Sequence, residues 1–502
     1  MPSKKYILFY FFTVVVYAFC VNEWNVYSVK KHNPGNITEN SGSLVNGHTL
    51  YSIDNIWYVS QIKNYLNGKG FTVDPSKSHY AVRRTPVYPM FYGVHYLLFG
   101  EEGSYFWIRF TQILIFGLSA IALLFAVFNF TANSRIALLA SFIYAFNPSI
   151  VSYLYYTVTE ALSISLVCFV FYALSKCKQN PSGKNLLWAG FIFALAVLCR
   201  PIVVLLLFSC LFAILYFKDW SLKRAILPVL LFGTGASILI IPWTIRNYKI
   251  TDGDIVFLEK YYGDPMDYGI PNVHLRKWIA CWTNPADFSS ERISNFMRSN
   301  LVNKEPVTKE HLIDSLTAVL PEKAYLGNSE TAVWSAYNSL YEFYRKKYSA
   351  GNAALSKDSL EETATKKITA LKTNFLKVAG FRYYVTTPLL FFKSVIFQSN
   401  SSNLVLLRDY RGCWYKFVLK ALLYLLNVLT FTSLLALPLW GRRYLPLYFI
   451  TALYTICTFF VITFGFRYFE CRYIFPLLPF LCATLAICLV EAENLIKRKL
   501  NL

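Results

Sequence analysis

The sequence predicts an all-α polytopic membrane protein, on three observations. The 502-residue chain is 55% hydrophobic with a mean hydropathy of +0.39, and apolar runs long enough to cross a bilayer recur along it. Lys and Arg gather on one side of those runs. Two long, more polar segments fall on the other side, at 23–105 and 244–413.

The runs lie at about 6–22, 106–130, 135–152, 157–175, 186–200, 201–217, 225–243, 414–439, 444–464 and 473–490. A spanning helix needs roughly 17–25 residues, so each is a candidate span. Those at 186–200 and 201–217 are short and meet at a proline. Two further apolar stretches, 88–99 and 383–397, are short or broken and read as interfacial helices, with one extra span as the alternative. The expected architecture is a bundle of about ten or eleven transmembrane helices. The first run follows Lys4 and Lys5 as in a signal peptide, but no small-residue cleavage site follows it, so an uncleaved first helix is expected.

With ten spans, Lys4, Lys5, Arg135, Lys176, Lys178, Lys184, Lys218, Lys223, Arg224, Arg442, Arg443, Lys497, Arg498 and Lys499 all fall on one side. By the positive-inside rule that side is the cytoplasm, and the two long segments are extracytoplasmic. The second carries amphipathic helical patterns at 331–348 and 359–378. The chain divides into an N-terminal transmembrane module at 1–248, an extracytoplasmic lid region at 249–413 and C-terminal helices at 414–502.

The net charge of +21 comes from 49 Lys and Arg against 28 Asp and Glu. These cations are dispersed between the spans, which fits orientation and anionic lipid headgroups and argues against nucleic acid. The 11 cysteines form no CxxC pair and no Cys/His quartet. Most sit in apolar runs, where Cys acts as a small hydrophobe. The "DGD" at 252–254 reads as a turn before it reads as a metal site. "NIT" (36–38) and "NSS" (400–402) are sequons, of meaning only in a eukaryotic host. The histidines, including His311, show no ligand spacing, and only His79 lies near the site argued next.

Ten charges fall near the outer ends of spans: Asp54, Arg83, Arg84, Arg109, Glu160, Arg200, Arg246, Arg467, Glu470 and Arg472. Charge in a bilayer is costly, at least ~2.5 kcal/mol at the centre on insertion scales, and each such group needs a partner, water or a bound anion. Arginines from several helices at one depth point to a shared anionic ligand. The planar guanidinium suits a phosphate, because it forms paired, charge-assisted hydrogen bonds and keeps its proton when partly desolvated. Snorkelling or pairing with Asp54, Glu160 and Glu470 is the competing account.

Asp54 is the sole charge between Glu39 and Lys63, in "TLYSIDNIWYVSQI". A lone carboxylate among aromatic residues fits a general base, and an Asp preceding a helical pattern also fits an N-cap. Glu160 fits a sugar-hydroxyl ligand or the counter-ion of Arg109 or Arg84. Tyr88, Tyr155, Tyr156 and Tyr473 fit either a substrate cleft or an interfacial aromatic belt.

Five patterns occur in order: "RTPVYP" (84–89), "YYTVTEAL" (155–162), "LCRP" (198–201), "IPWTIRNYKITDG" (241–253) and "RYFECRYIFPLLP" (467–479). Together they resemble the GT-C glycosyltransferases of the dolichyl-phosphate-mannose protein mannosyltransferase type. The nearer resemblance is to the bacterial branch that includes the aminoarabinose transferase acting on lipid A. The resemblance implies a GT-C-like bundle in a bacterial inner membrane, with its site facing the periplasm. It implies inverting transfer of a sugar from a polyprenyl-phosphate donor to a lipid, glycan or protein acceptor. In that frame Asp54 matches the catalytic Asp and Glu160 a second catalytic acid. Arg84, Arg200, Arg246 and Arg472 match positions that hold the carrier phosphate. His79, Tyr88, Arg109 and Tyr473 would line the cleft. Asn55 follows Asp54 where some relatives have paired acids, so a divalent metal is compatible with the site but not required. The competing classes are a transporter of lipid or lipid-linked sugar and a polysaccharide ligase or polymerase.

Overall fold

Each of the ten apolar runs is helical in the computed structural model. It describes residues 3–32, 44–52, 54–75, 78–217, 221–253, 256–258, 270–282, 320–349, 359–397, 404–407, 410–467 and 470–500. Both sequons, Asp254, His311 and the side chain of His79 lie outside the described residues.

The elements are α1 (Lys4–His32), a hairpin of β1 (Leu44–Val45) and β2 (Thr49–Leu50), α2 (Asn55–Leu66), α3 (Val87–Thr131), α4 (Ser134–Ala145), α5 (Pro148–Val151), α6 (Thr159–Gln179), α7 (Gly183–Cys199), α8 (Leu206–Tyr216) and α9 (Leu222–Ile250). Then come α10 (Ile270–Trp282), α11 (Glu330–Ser349), α12 (Ser359–Phe381), α13 (Thr387–Phe397), α14 (Trp414–Ala436), α15 (Leu445–Phe460) and α16 (Leu478–Lys499). The molecule is thus an all-α polytopic membrane protein. Among the described residues 7 helices are long and apolar enough to cross a membrane, or 8 if the pair bent by 47° at 134–155 is one span. The two remaining runs form the shorter apolar helices Gly183–Cys199 and Pro201–Tyr216.

Two compact units emerge. One holds Met1–Glu259, Ile396–Thr458 and Glu470–Leu502; the other holds Lys260–Val395 and Phe459–Phe469. In the first, α1 leaves Tyr6, Leu8, Phe9, Phe12 and Val16 exposed. That is the expected surface of a helix solvated by acyl chains. α6 is largely enclosed, packing on α3 and α7, and the span that ends in α16 is enclosed to the same degree. Gly100, at φ 69, breaks α3 between the apolar stretch 88–99 and the longer apolar run that follows.

Lipid tails offer no hydrophobic drive for helix association, so close packing and polar contacts hold the bundle. Both are visible. Tyr10 Oη and Ser141 Oγ meet at 2.7 Å, Ser119 Oγ and Tyr144 Oη at 2.9 Å, and Ser433 Oγ and Thr484 Oγ1 at 2.9 Å. α7 and α9 touch backbone to backbone. A Cβ on Gly190 would stand 1.9 Å from the Phe232 carbonyl oxygen, and one on Gly235 would stand 2.1 Å from that of Leu187.

In the second unit α10, α11 and α12 enclose Trp278, Trp282, Leu340, Tyr344, Ile368 and Phe375. These helices cover the two amphipathic patterns read from the sequence. Arg467 belongs to this unit. It donates to the Tyr383 carbonyl at 2.8 Å and lies 3.4 Å from the centre of that ring.

Gly190→Ala and Gly235→Ala each force α7 and α9 apart. Each should cost about 1–3 kcal/mol, the usual range for overpacking, and lower the unfolding midpoint in detergent. Gly233→Ala, with open space at its Cβ, should leave that midpoint close to wild type.

Candidate active site

Four chain breaks in the first unit bring the charges together. Pro201 holds Arg200 in extended backbone (φ −144, ψ 107), so α7 ends there and the guanidinium turns toward α6. Glu160 opens α6 in its first turn. A carboxylate at a helix N-terminus and a cation at a helix C-terminus both oppose the local dipole, so this pair is favoured by both helices. Arg84 lies two residues before Pro86, the N-cap of α3. Arg472 lies in the 3-10 turn Cys471–Leu477 that leads into α16.

The ion pairs form one chain. Arg200 Nη1 stands 2.6 Å from Glu160 Oε1, and Arg472 Nη1 stands 3.1 Å from the same oxygen. Arg472 Nη1 also reaches Asp54 Oδ2 at 2.7 Å, and Arg84 Nη2 reaches Asp54 Oδ1 at 3.2 Å. Arg472 Nε pairs with Glu470. Among the described residues this chain of pairs joins three carboxylates to three guanidinium groups. Glu160 is sealed at 3% exposure, whereas Asp54 and Arg472 retain 13% and 17%. Removing one partner of a buried pair strands the other, typically at a cost of ~3–5 kcal/mol.

Not every N–H is engaged. Arg200 uses Nη1, on Glu160 and on Thr159 Oγ1 at 3.4 Å. Arg472 uses Nε and Nη1. Among the described residues no protein acceptor meets Arg200 Nε, Arg200 Nη2 or Arg472 Nη2, and none of the three is a buried orphan. These three nitrogens are donors of the cluster left without a protein acceptor among the described residues.

Asp54 does occupy the N-cap of α2, but its carboxylate makes no capping bond. The capping account therefore describes its backbone place and not its side chain, which faces the two arginines. A short shelf at 154–157 sets that place. Leu50 bridges Tyr156 in parallel register, and Thr157 donates to the Asn55 side chain. The shelf hangs on Gln112 of α3, which is fully buried. Gln112 Nε2 donates to the carbonyls of Leu154 at 2.7 Å and Tyr156 at 3.2 Å, while its Oε1 accepts from Tyr88 Oη at 2.9 Å.

Tyr88, Arg246 and Arg109 make contacts outside this chain of ion pairs, whereas Tyr473 adjoins it. Tyr88 is fully buried, bonded to Gln112 and packed on Tyr58, so its position is in the scaffold beneath the site. Arg246 donates to the carbonyls of Phe71 at 2.9 Å and Ala81 at 3.0 Å and so ties down the first loop. Arg109 pairs with Glu23 at 3.2 Å, not with Glu160, and Tyr155 Oη donates to Glu23 at 2.8 Å. Beside them burial, then the charges of Arg109 and Lys30, lower the basicity of His48. Tyr473 follows Arg472, and its N–H bonds the Glu470 carbonyl at 2.9 Å. Among the described residues no three His, Cys, Asp or Glu side chains form a group able to hold a metal ion.

Residues 83–245 match the family model of the dolichyl-phosphate-mannose-protein mannosyltransferases. The resemblance read from the sequence holds over that segment, which carries Arg84, Glu160 and Arg200. The chain is also similar to solved structures, at a distance. One is the archaeal oligosaccharyltransferase AglB from Archaeoglobus fulgidus, in complex with an inhibitory peptide and a dolichol-phosphate. There the identity is 12% and the TM-score 0.49, over 99% of this chain and 52% of AglB. Another is ArnT from Cupriavidus metallidurans bound to undecaprenyl phosphate, at 12% identity and TM-score 0.36, over 98% of this chain and 80% of ArnT. The apo form of ArnT gives 12% identity and TM-score 0.30, over 88% of this chain and 72% of ArnT. The chain thus spans about half the length of AglB. No curated protein sequence matches the chain.

Gln112→Leu keeps the volume and removes all three hydrogen bonds. It should leave the helical content intact and cut turnover at least tenfold by loosening the shelf under Asp54, since small misplacements of reacting groups are costly. Circular dichroism beside a steady-state assay checks both halves.

Proposed function

We propose that this protein is a GT-C-type membrane glycosyltransferase that moves one sugar from a polyprenyl-phosphate carrier to an acceptor hydroxyl or similar group at the extracytoplasmic face. The observation that carries this reading is the meeting of Asp54 with Arg84 and Arg472, and of Arg472 and Arg200 with Glu160, while three guanidinium nitrogens have no protein acceptor among the described residues. The family match over residues 83–245 supports it.

The chemistry follows from the charges. The acceptor oxygen attacks the anomeric carbon, its proton passes to the Asp54 carboxylate, and the bond from that carbon to the phosphate oxygen breaks with inversion. The electron pair stays on the carrier phosphate, whose charge increases as it leaves. Arg200, Arg472 and Arg84 meet that charge, and being fixed beforehand they need little reorganisation. Glu160 is a positioning residue: it holds Arg200 and Arg472 in one plane of approach. Because the resting cluster is balanced, the phosphate is recognised by directed N–H groups and not by a net positive field. Specificity for sugar and acceptor is assigned to residues 255–410, where the resemblance is thinnest. The bacterial inner membrane, with the site toward the periplasm, is the setting that the basic loops and the resemblance favour.

The decisive experiment incubates the purified protein with a panel of polyprenyl-phosphate sugars and reads products by mass spectrometry. Asp54→Asn should lower turnover by about 10²–10⁴, the span ascribed to a general base, with carrier binding retained. A transporter would keep its transport rate in that variant, and a folded protein inert to every donor would favour that class. Arg200→Lys and Arg472→Lys keep the charge but lose the fork, and should lower kcat as well as raise KM for the donor.

A further inference from the structure

Glu470 stands out in the ion-pair chain. Among the described residues Glu160 holds two arginines and Asp54 holds two, whereas Glu470 holds one, Arg472, from two residues away. It is also the most exposed member, at 25% for its side chain. Its side-chain ion pair among the described residues falls on Nε of Arg472. On a guanidinium, Nε and Nη2 form the side-on fork that grips two oxygens of one carboxylate or phosphate. Glu470 thus covers half of that fork, and Nη2, the other half, has no protein acceptor among the described residues. The remaining nitrogen, Nη1, is fixed by Asp54 and Glu160.

We infer that Glu470 is a displaceable placeholder for the carrier phosphate: it occupies Arg472 Nε while the site is empty, yields it to a phosphate that spans Nε and Nη2, and returns to help expel the product. This rests on the function proposed above and adds a residue and a role to it. The exchange is an ion-pair swap, with no bond made or broken. Its physical basis is charge. When phosphate arrives, Glu470 becomes an unpaired anion beside another, and the repulsion keeps the product from binding too tightly. The placeholder therefore trades affinity for release. Glu470 is a positioning residue that acts through Arg472.

The test is binding of a radiolabelled polyprenyl monophosphate to the purified full-length protein, with inorganic phosphate and the unphosphorylated polyprenol as parallel probes. Glu470→Gln should tighten binding of the polyprenyl monophosphate by about tenfold, as expected when one charged competitor for a charge-assisted bond is removed. KM for the donor and kcat should fall together, because release slows. Glu470→Asp keeps the charge and should restore both toward wild type. A matching gain for inorganic phosphate would locate the effect at the phosphate itself, whereas a gain for the bare polyprenol would overturn the inference. Unchanged or weaker binding in Glu470→Gln, with an unchanged unfolding midpoint, also overturns it. Glu470→Ala in the same assay carries the test if the glutamine variant is unstable. The underlying reading is judged separately, by Arg472→Gln and Arg200→Gln. If these lose the monophosphate while Glu470→Gln gains nothing, the site stands and the placeholder fails. If both retain it in full, the phosphate site itself fails.

Discussion

The structure depends on the cost of burying Glu160. A carboxylate at the start of a largely enclosed helix is tolerable only when cations meet it, and two do, from the end of α7 and the entry to α16. Once Arg200 and Arg472 are drawn to Glu160, the rest follows. Arg472 lies within reach of Asp54, Asp54 gathers Arg84, and parts of the chain separated by up to 418 residues share one charged layer. A membrane interior makes this discriminating. In water such pairs are worth little, but a bundle in lipid has few other ways to satisfy them.

Much of this was legible in the sequence because charge in an apolar run is conspicuous. Asp54, Arg84, Glu160, Arg200 and Arg472 were each singled out, and the structure brings these five together. The ten apolar runs map onto helices for the same reason. The limits are as instructive. Arg109 and Arg246 gave the same signal as Arg200, yet one pairs with Glu23 and the other with loop carbonyls. A sequence marks where a charge is but not which partner reaches it. Asn55, noted as the missing second acid, turns out to be a structural anchor for Thr157.

Gln112 carries no charge, yet it fixes the shelf beneath Asp54. It sits inside the apolar run 106–130, where a single amide does not disturb the hydropathy. Its importance is in accounting for backbone carbonyls: the irregular shelf at 154–157 has polar groups that no helix satisfies, and Gln112 supplies two bonds to them. The available signal was a lone polar amide in a span, the kind of residue that membrane helices retain for interhelical contacts.

The proline after Arg200 has a further consequence for the lipid. It stops α7 at 17 residues, about 25 Å of helix at ~1.5 Å per residue. A hydrocarbon core is ~30 Å thick, so α7 falls ~5 Å short of it. A bilayer meets such hydrophobic mismatch by thinning locally. A bilayer that thins to match α7 would bring its headgroup plane closer to Arg200 than the longer neighbouring helices alone would set it.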